Sequence, residues 1–215
     1  MSWQVEALLG GKPRPFRADH ASAIAKQPLT GLVTIHREGL TGDSQADRSV
    51  HGGPEKAVHC YPLDHHAAWR EVLGEHPLLD DPGAFGSNLA IRGLTEAQVH
   101  IGDRFRLGSA VLELCQPRQP CWKIEHRFDH KGMVAHILQS GRCGFYFRVL
   151  EEGEAQAGDA LERVETGHEN WSVTRIFKTL FGLGSKPSHE DMADLLALDR
   201  LAGELRARIG NKFDR

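Results

Sequence analysis

Cysteine is scarce in this chain and comes without pattern: the four residues, at positions 60, 115, 121 and 143, form no CxxC pair and no dense framework. A disulfide scaffold is thereby excluded, and the cysteines read as reduced thiols. The thirteen histidines show neither an HExxH stretch nor Cys–His pairs at finger spacing, so no recognisable zinc motif is present. A basic excess is lacking as well. With 26 Lys and Arg against 29 Asp and Glu the formal charge is -3, which argues against a nucleic-acid binder, since such proteins carry a basic surplus or stripe. No long apolar run occurs, and with a mean hydropathy of -0.40 no membrane span is expected. The N-terminal MSWQVEALLG lacks a basic stretch ahead of an apolar segment. Without a secretory signal a cytoplasmic location is the default expectation.

What is there is an ordinary globular composition, 40% hydrophobic and 26% charged over 215 residues, enough for one domain and an appendage. Up to about residue 165, short β-branched or alternating segments recur between glycine-rich turns: 31-GLVTIHRE, 56-KAVHCY, 86-GSNLAIRG, 110-AVLELCQ, 144-GFYFRVLEEG and 159-DALERVE. They predict a mainly β domain, barrel or sandwich, over residues 1–165. Two helices interrupt it, at 64-DHHAAWREVLG and 129-DHKGMVAHILQSG, with Asp64 and Asp129 as N-caps and Gly74 and Gly141 as stops. From 166 to 215 the segments 171-WSVTRIFKTLF, 188-SHEDMADLLAL and 199-DRLAGELRARIG carry helical periodicity without strand candidates between them. A small three-helix domain is expected there, with a capping box at Ser188 and Asp191, a separator at 182–187 and an end at Gly210. Trp69, Trp122 and Trp171 read as core on helical faces, and Phe145, Tyr146 and Phe147 as strand packing.

Two stretches could carry chemistry. In 116-QPRQPCWKI, Cys121 follows a proline and is flanked by Arg118 and Lys123. A short helix beginning at Pro120 would add its positive end to those cations, and such a frame favours the thiolate, the form that attacks electrophiles and binds metals. The plainer reading makes Cys121 a small buried hydrophobe. Cys115 continues a strand and reads as structural, as do Cys60 and Cys143. The second stretch, 39-GLTGDSQADRSVHGGPEKAVHCY, is too polar for a regular element and too long for an idle turn. Gly42, Gly52 and Gly53 could aim successive N–H groups at one anion, with Arg48, His51 and Lys56 supplying charge and Asp43, Gln45 and Asp47 orienting polar groups. Taken alone, the glycines do no more than turn the chain.

Taken in order, GLTGDSQAD (39–47), HGGPEKAVHCY (51–61), GSNLAIRGL (86–94), IGDRFRLGSAVLEL (101–114) and QPRQPCWK (116–123) resemble the MOSC-domain family. Its members are β-barrels related to the C-terminal domain of molybdenum-cofactor sulfurases, and the bacterial YiiM subfamily is the most similar branch. The resemblance spans roughly residues 28–165, and the helical tail fits that subfamily. It implies a molybdopterin-type molybdenum cofactor with Cys121 as thiolate ligand to the metal. It further implies reduction of N-hydroxylated compounds such as hydroxylaminopurines, with electrons from a separate redox protein, because the chain has no flavin, haem or iron–sulfur motif. The matching positions make Asp43, Gln45, Gly52, Gly53, Lys56, Asn88, Arg118 and Lys123 candidates for holding the cofactor. His51 and Asp47 are candidates for moving protons beside Cys121. Two other functions stay open: a carrier holding sulfur or the cofactor on Cys121, and a cysteine hydrolase, for which no histidine can be assigned as base from sequence. No nucleic-acid or membrane partner is expected, and an oligomer is possible. One departure is noted, His59-Cys60, where a more aliphatic or aromatic strand segment is expected.

Overall fold

A computed structural model describes residues 1–47, 51–183 and 187–213. Among these described residues thirteen strands run in chain order from β1 (Ser2–Gly10) through the hairpin β2 (Arg14–Arg17) and β3 (His20–Ser22), β4 (Gln27–Pro28), β5 (Val33–His36) and β6 (Gly39–Leu40) to β7 (Val58–Pro62). Then come β8 (Leu89–Ile91), β9 (Arg104–Leu107), β10 (Ala110–Pro117), β11 (Phe145–Glu151), β12 (Gly153–Ala155) and β13 (Ala160–Glu165). The order β13-β9-β10-β11-β7-β8-β1 closes into a seven-stranded barrel because β1 also pairs with β13, Trp3 facing Leu161. β7 and β8 run parallel. A parallel pair needs a crossover, and here that crossover contains the helix α1 (His65–Leu73).

Most of the helices match expectation and their caps do so in part. Gly74 and Gly141 close α1 and α3 (Met133–Ser140), and Ser188 with Asp191 forms the capping box of α5 (His189–Ala197). Asp64 makes no cap bond; its carboxylate instead accepts from the Gly93 N–H at 2.9 Å, tying the crossover to the end of β8. Asp129 lies ahead of α3 with φ 44°, and the helix start is served by Glu125, whose Oε1 accepts from Gly132 N–H at 2.9 Å. The helix near Cys121 is shorter than expected, α2 (Lys123–Arg127), and begins after both Pro120 and Cys121. α4 (Val173–Phe181) is capped by Ser172, and α6 (Gly203–Phe213) passes through Gly210 rather than ending there. The separator expected at 182–187 lies partly outside the described residues.

One apolar core joins barrel and tail. Phe105, Leu112, Phe145 and Phe147 from the strands belong to the same buried cluster as Trp171, Phe177, Leu195 and Leu205 from the helical segment. Trp69 and Trp171 are buried, as expected, but Trp122 is 37% exposed. It is the residue from which α2 departs, and it packs against the β2–β3 hairpin, its ring 6.1 Å from Phe16 and 5.3 Å from His20. No helix among the described residues is long and apolar enough to cross a membrane.

Candidate functional site

The end of β10 is bent where Cys115 stands as an extra residue between the Leu114–Phe147 and Gln116–Tyr146 pairs. Such bulges re-aim a strand. Here the chain leaves over the barrel rim as Pro117–Cys121, beside the 3-10 turn Pro54–Lys56, the start of β8 and the end of the hairpin. These segments line a cleft that is open at its mouth. A second lobe shares His51, Lys56, Gln119, Cys121 and Tyr146 with the first and is walled on its far side by Glu204, Leu205 and Arg208 of α6.

Cys121 is half-buried, with its Sγ 3.8 Å from His51 Nε2. Its carbonyl accepts from Ile124 N–H at 3.1 Å, so the residue occupies a turn ahead of α2. A five-residue helix has little dipole to offer; the positive surroundings come instead from Arg118, Lys123 and Lys56, which line the same cleft. Burial, then the nearby Lys123, Arg118 and Lys56 charges, hold His51 below its ordinary value against the opposing pull of Asp47. At neutral pH the imidazole is therefore uncharged beside the thiol, and its Nδ1 is buried without a partner.

Arg118 is 5% exposed and its Nη1 is buried without a hydrogen-bond partner. A buried cation left open in this way is costly, by several kcal/mol, unless an anion completes it. Asp43 lies behind the wall rather than on it. Its Oδ2 sits 2.5 Å from Lys26 Nζ and accepts from Asn88 Nδ2 at 2.8 Å, so it fixes two groups that do face the cleft. Gln45 and Asp47 line the cleft too. Gly52 and Gly53 precede the 3-10 turn without lining either lobe, Gly53 with φ 91°. Arg48, a further candidate, lies outside the described residues. Lys56 reaches the cleft and is also paired with Glu204 at 2.7 Å.

Several wall residues escape the sequence reading, four of them with chemistry to offer. Lys26 comes from the chain before β4. His59, the departure noted above, is buried on β7 with its ring 4.9 Å from that of Tyr146; burial and the Arg118 charge hold it well below its ordinary value. Tyr146 points opposite to Phe145 and Phe147 and lines both lobes. Burial pushes its phenol up, so it stays an O–H donor. Strand alternation alone could have singled out Tyr146. Gln119 lies at the rim, its side-chain oxygen accepting from Arg208. Among the described residues no group of three His, Cys, Asp or Glu side chains could hold a metal by itself. A metal here would need most of its ligands from elsewhere.

A barrel of this topology with a basic, cysteine-bearing cleft at its rim defines a class. The MOSC domain matches residues 47–162, and the chain belongs to that family. MOSC domains are associated with molybdenum-cofactor binding. The uncharacterized protein YflK of Bacillus subtilis is 41% identical over 222 residues, covering 99% of this chain and 96% of that one. A protein named Reductase from Gibberella moniliformis is 38% identical over 160 residues, 74% of this chain but 28% of its own length. The crystal structure of YiiM from Geobacillus stearothermophilus superposes with a TM-score of 0.82 at 29% identity, covering 97% of this chain and 98% of that one. The chain is a MOSC protein of YiiM-like architecture.

Proposed function

We propose that the first lobe holds a molybdopterin-type molybdenum cofactor, with Cys121 as the protein's thiolate ligand, and that the protein reduces N-hydroxylated compounds such as hydroxylaminopurine-like bases. The open Arg118 guanidinium on the same wall as Cys121 carries this reading. A soft thiolate suits a molybdenum centre, and a buried arginine with an unpartnered N–H suits the phosphate or polar edge of the pterin. The donor set thus fits the group, which would supply two-electron, oxygen-abstracting chemistry when bound. The chain's own part is to bind and to move protons. Arg118, Lys123 and Asn88 bind and orient, Asp43 holds Asn88 and Lys26 in place, and neutral His51 relays a proton at Nε2 beside Cys121, with Asp47 close to it. The Reductase relative supports the redox reading, and its greater length leaves room for further domains. For this chain a separate redox protein is the electron donor.

The 3.8 Å contact of Cys121 and His51 also favours a second reading, sulfur carriage on Cys121, with the imidazole taking the thiol proton. Molybdenum and pterin are quantified in the purified full chain and in Arg118→Gln, beside reduction of an N-hydroxylated base with donor proteins supplied. The expected result is a loaded, active wild type and an empty Arg118→Gln whose thermal midpoint equals or exceeds that of cofactor-free wild type, because an uncompensated buried charge has been removed. Wild-type protein that carries cyanide-labile sulfur but neither metal nor pterin would decide for the carrier.

A further inference from the structure

Arg118 and His59, both lining the cleft that holds Cys121, each keep a buried polar atom without a partner, and the two atoms are opposite in kind. On Arg118 it is Nη1, which can only donate; on His59 it is Nε2. The other ring nitrogen locates the His59 proton: Nδ1 lies 3.2 Å from the Gly86 carbonyl oxygen, and a carbonyl only accepts, so Nδ1 carries the hydrogen. With the ring held uncharged by burial and by the Arg118 charge, Nε2 is a bare lone pair that can only accept. The ring is also fixed in place. Asn88 Oδ1 accepts from the His59 N–H at 3.0 Å, the Tyr146 ring lies 4.9 Å away at 32°, and a Cβ added to Gly144 would stand 2.8 Å from Nε2. Buried donors and acceptors in native folds are almost always satisfied, so a molecule that fills the cleft is expected to serve both.

We infer that His59 is a ligand-binding residue and that it receives, together with Arg118, one edge of a planar heterocycle, an N–H donating to His59 Nε2 beside an oxygen or ring nitrogen that accepts from Arg118 Nη1. The inference rests on the cofactor reading given above and narrows it. An amide-like edge, as on the aminopyrimidinone ring of a pterin, offers donor and acceptor side by side, whereas a fully ionised phosphate offers acceptors only. Phosphate oxygens would satisfy Arg118 but press their charge against the His59 lone pair. The wall at Arg118 therefore takes the edge of the ring, and the phosphate is left to cations with no lone pair beside them, of which Lys123 also lines the cleft. His59 stands where a more aliphatic or aromatic residue is expected. Such a residue would leave the guanidinium without its complement.

The probe is pterin itself, 2-amino-4-oxopteridine, and the protein is the full chain purified from cells unable to make molybdopterin. In nuclear magnetic resonance with nitrogen-15 histidine, the His59 Nε2 signal, assigned through its own backbone, should move upfield as pterin is added while Nδ1 stays protonated; inorganic phosphate should leave it in place. Pterin affinity by equilibrium dialysis gives a second readout. His59→Phe keeps a ring against Tyr146 but removes the acceptor, and should weaken binding by about tenfold, the loss of one hydrogen bond. His59→Gln, whose amide oxygen reaches about as far as Nε2, should recover most of that loss. The wild-type titration decides even where a substitution at so buried a position fails to fold. Pterin that binds with Nε2 unmoved, a shift given by phosphate in its place, or equal affinity in wild type and a folded His59→Phe overturns the role of His59 and leaves the cofactor reading standing. A wild type that binds no pterin, and holds none when purified from cofactor-competent cells, overturns both.

Discussion

The ion pair behind the cleft can be broken with a change of one atom. In Asp43→Asn the fully buried carboxylate loses its charge, and one acceptor oxygen becomes an amide that meets only donors: the Lys26 ammonium and Asn88 amide on one side, the Gly11 N–H on the other. Removing one member of a buried pair costs about 3–5 kcal/mol. Lys26 has an escape that caps the loss. Burial already lowers it from its ordinary 10.5, with Asp43 resisting, and at 1.36 kcal/mol per unit full deprotonation at pH 7 costs about 5 kcal/mol. For a chain of this size each kcal/mol moves the thermal midpoint by ~2–4 °C, so a fall of roughly 6–20 °C is expected. The sign of the pH dependence follows from the same lysine. In the variant the folded state holds Lys26 neutral while the unfolded state still binds the proton, so the variant's stability rises with pH between the lowered folded value and 10.5, by up to about 1.4 kcal/mol per unit. Chemical denaturation of both proteins at pH 7, 8 and 9 reads this directly, as a deficit that shrinks with pH. A midpoint within about 2 °C of wild type, or a deficit constant across that range, would refute the argument that Asp43 compensates a buried ammonium.

The cysteines supply an internal control. Burial pushes the Cys115 thiol to about 12, and its Sγ lies 3.2 Å from the Glu55 carbonyl and 3.5 Å from that of Tyr146. A serine there finds acceptors, so Cys115→Ser should lose only about 1 kcal/mol and keep its metal, whereas Cys121→Ser should keep its midpoint and lose molybdenum; the reverse pattern would remove Cys121 as ligand. With Cys60, Cys115 and Cys143 buried and their thiols pushed up, a thiol reagent near pH 8 should count one fast cysteine in the native protein and four after unfolding. For His51, a folded value below 6.5 means its share of stability is whole above pH 6.5 and lost as pH falls through the lowered value. The stability difference between wild type and His51→Gln should therefore shrink on acidification from pH 7 to 5, and a flat difference contradicts the buried, uncharged imidazole.

The strands that carry the barrel's later half announce themselves through β-branched runs and turn glycines, and the helices through periodicity and caps such as Ser188 with Asp191. Two-residue strands such as β4 and β6 leave no period to read, and Asp129 fails as a cap because Glu125, arriving from the helix before, already serves the start of α3. Within the site, Cys121, Arg118, Lys123, His51 and Lys56 were legible because cations and glycines around a lone cysteine are unusual in sequence. Lys26 gave no signal. Nothing in AIAKQP distinguishes a lysine that will be buried against Asp43 from one left in water. Glu204 and Arg208 look like any solvated helical face until α6 docks on the rim, a docking fixed partly by the two Glu55 carboxylate oxygens accepting from Gly203 N–H.

Barrel closure has a consequence for how the protein is made. Ser2 is paired with Glu162, so the barrel's first strand in chain order waits for the barrel's last before both its edges are satisfied. At about 5–20 residues per second that wait is on the order of ten seconds, during which an apolar strand edge is open to the wrong partners. The β7, β8 and β10 segments that frame the cleft emerge during the same interval. Anything that met the cleft before β13 was made would therefore meet an unfinished cylinder, whereas afterwards the way in is the mouth that the finished rim leaves open.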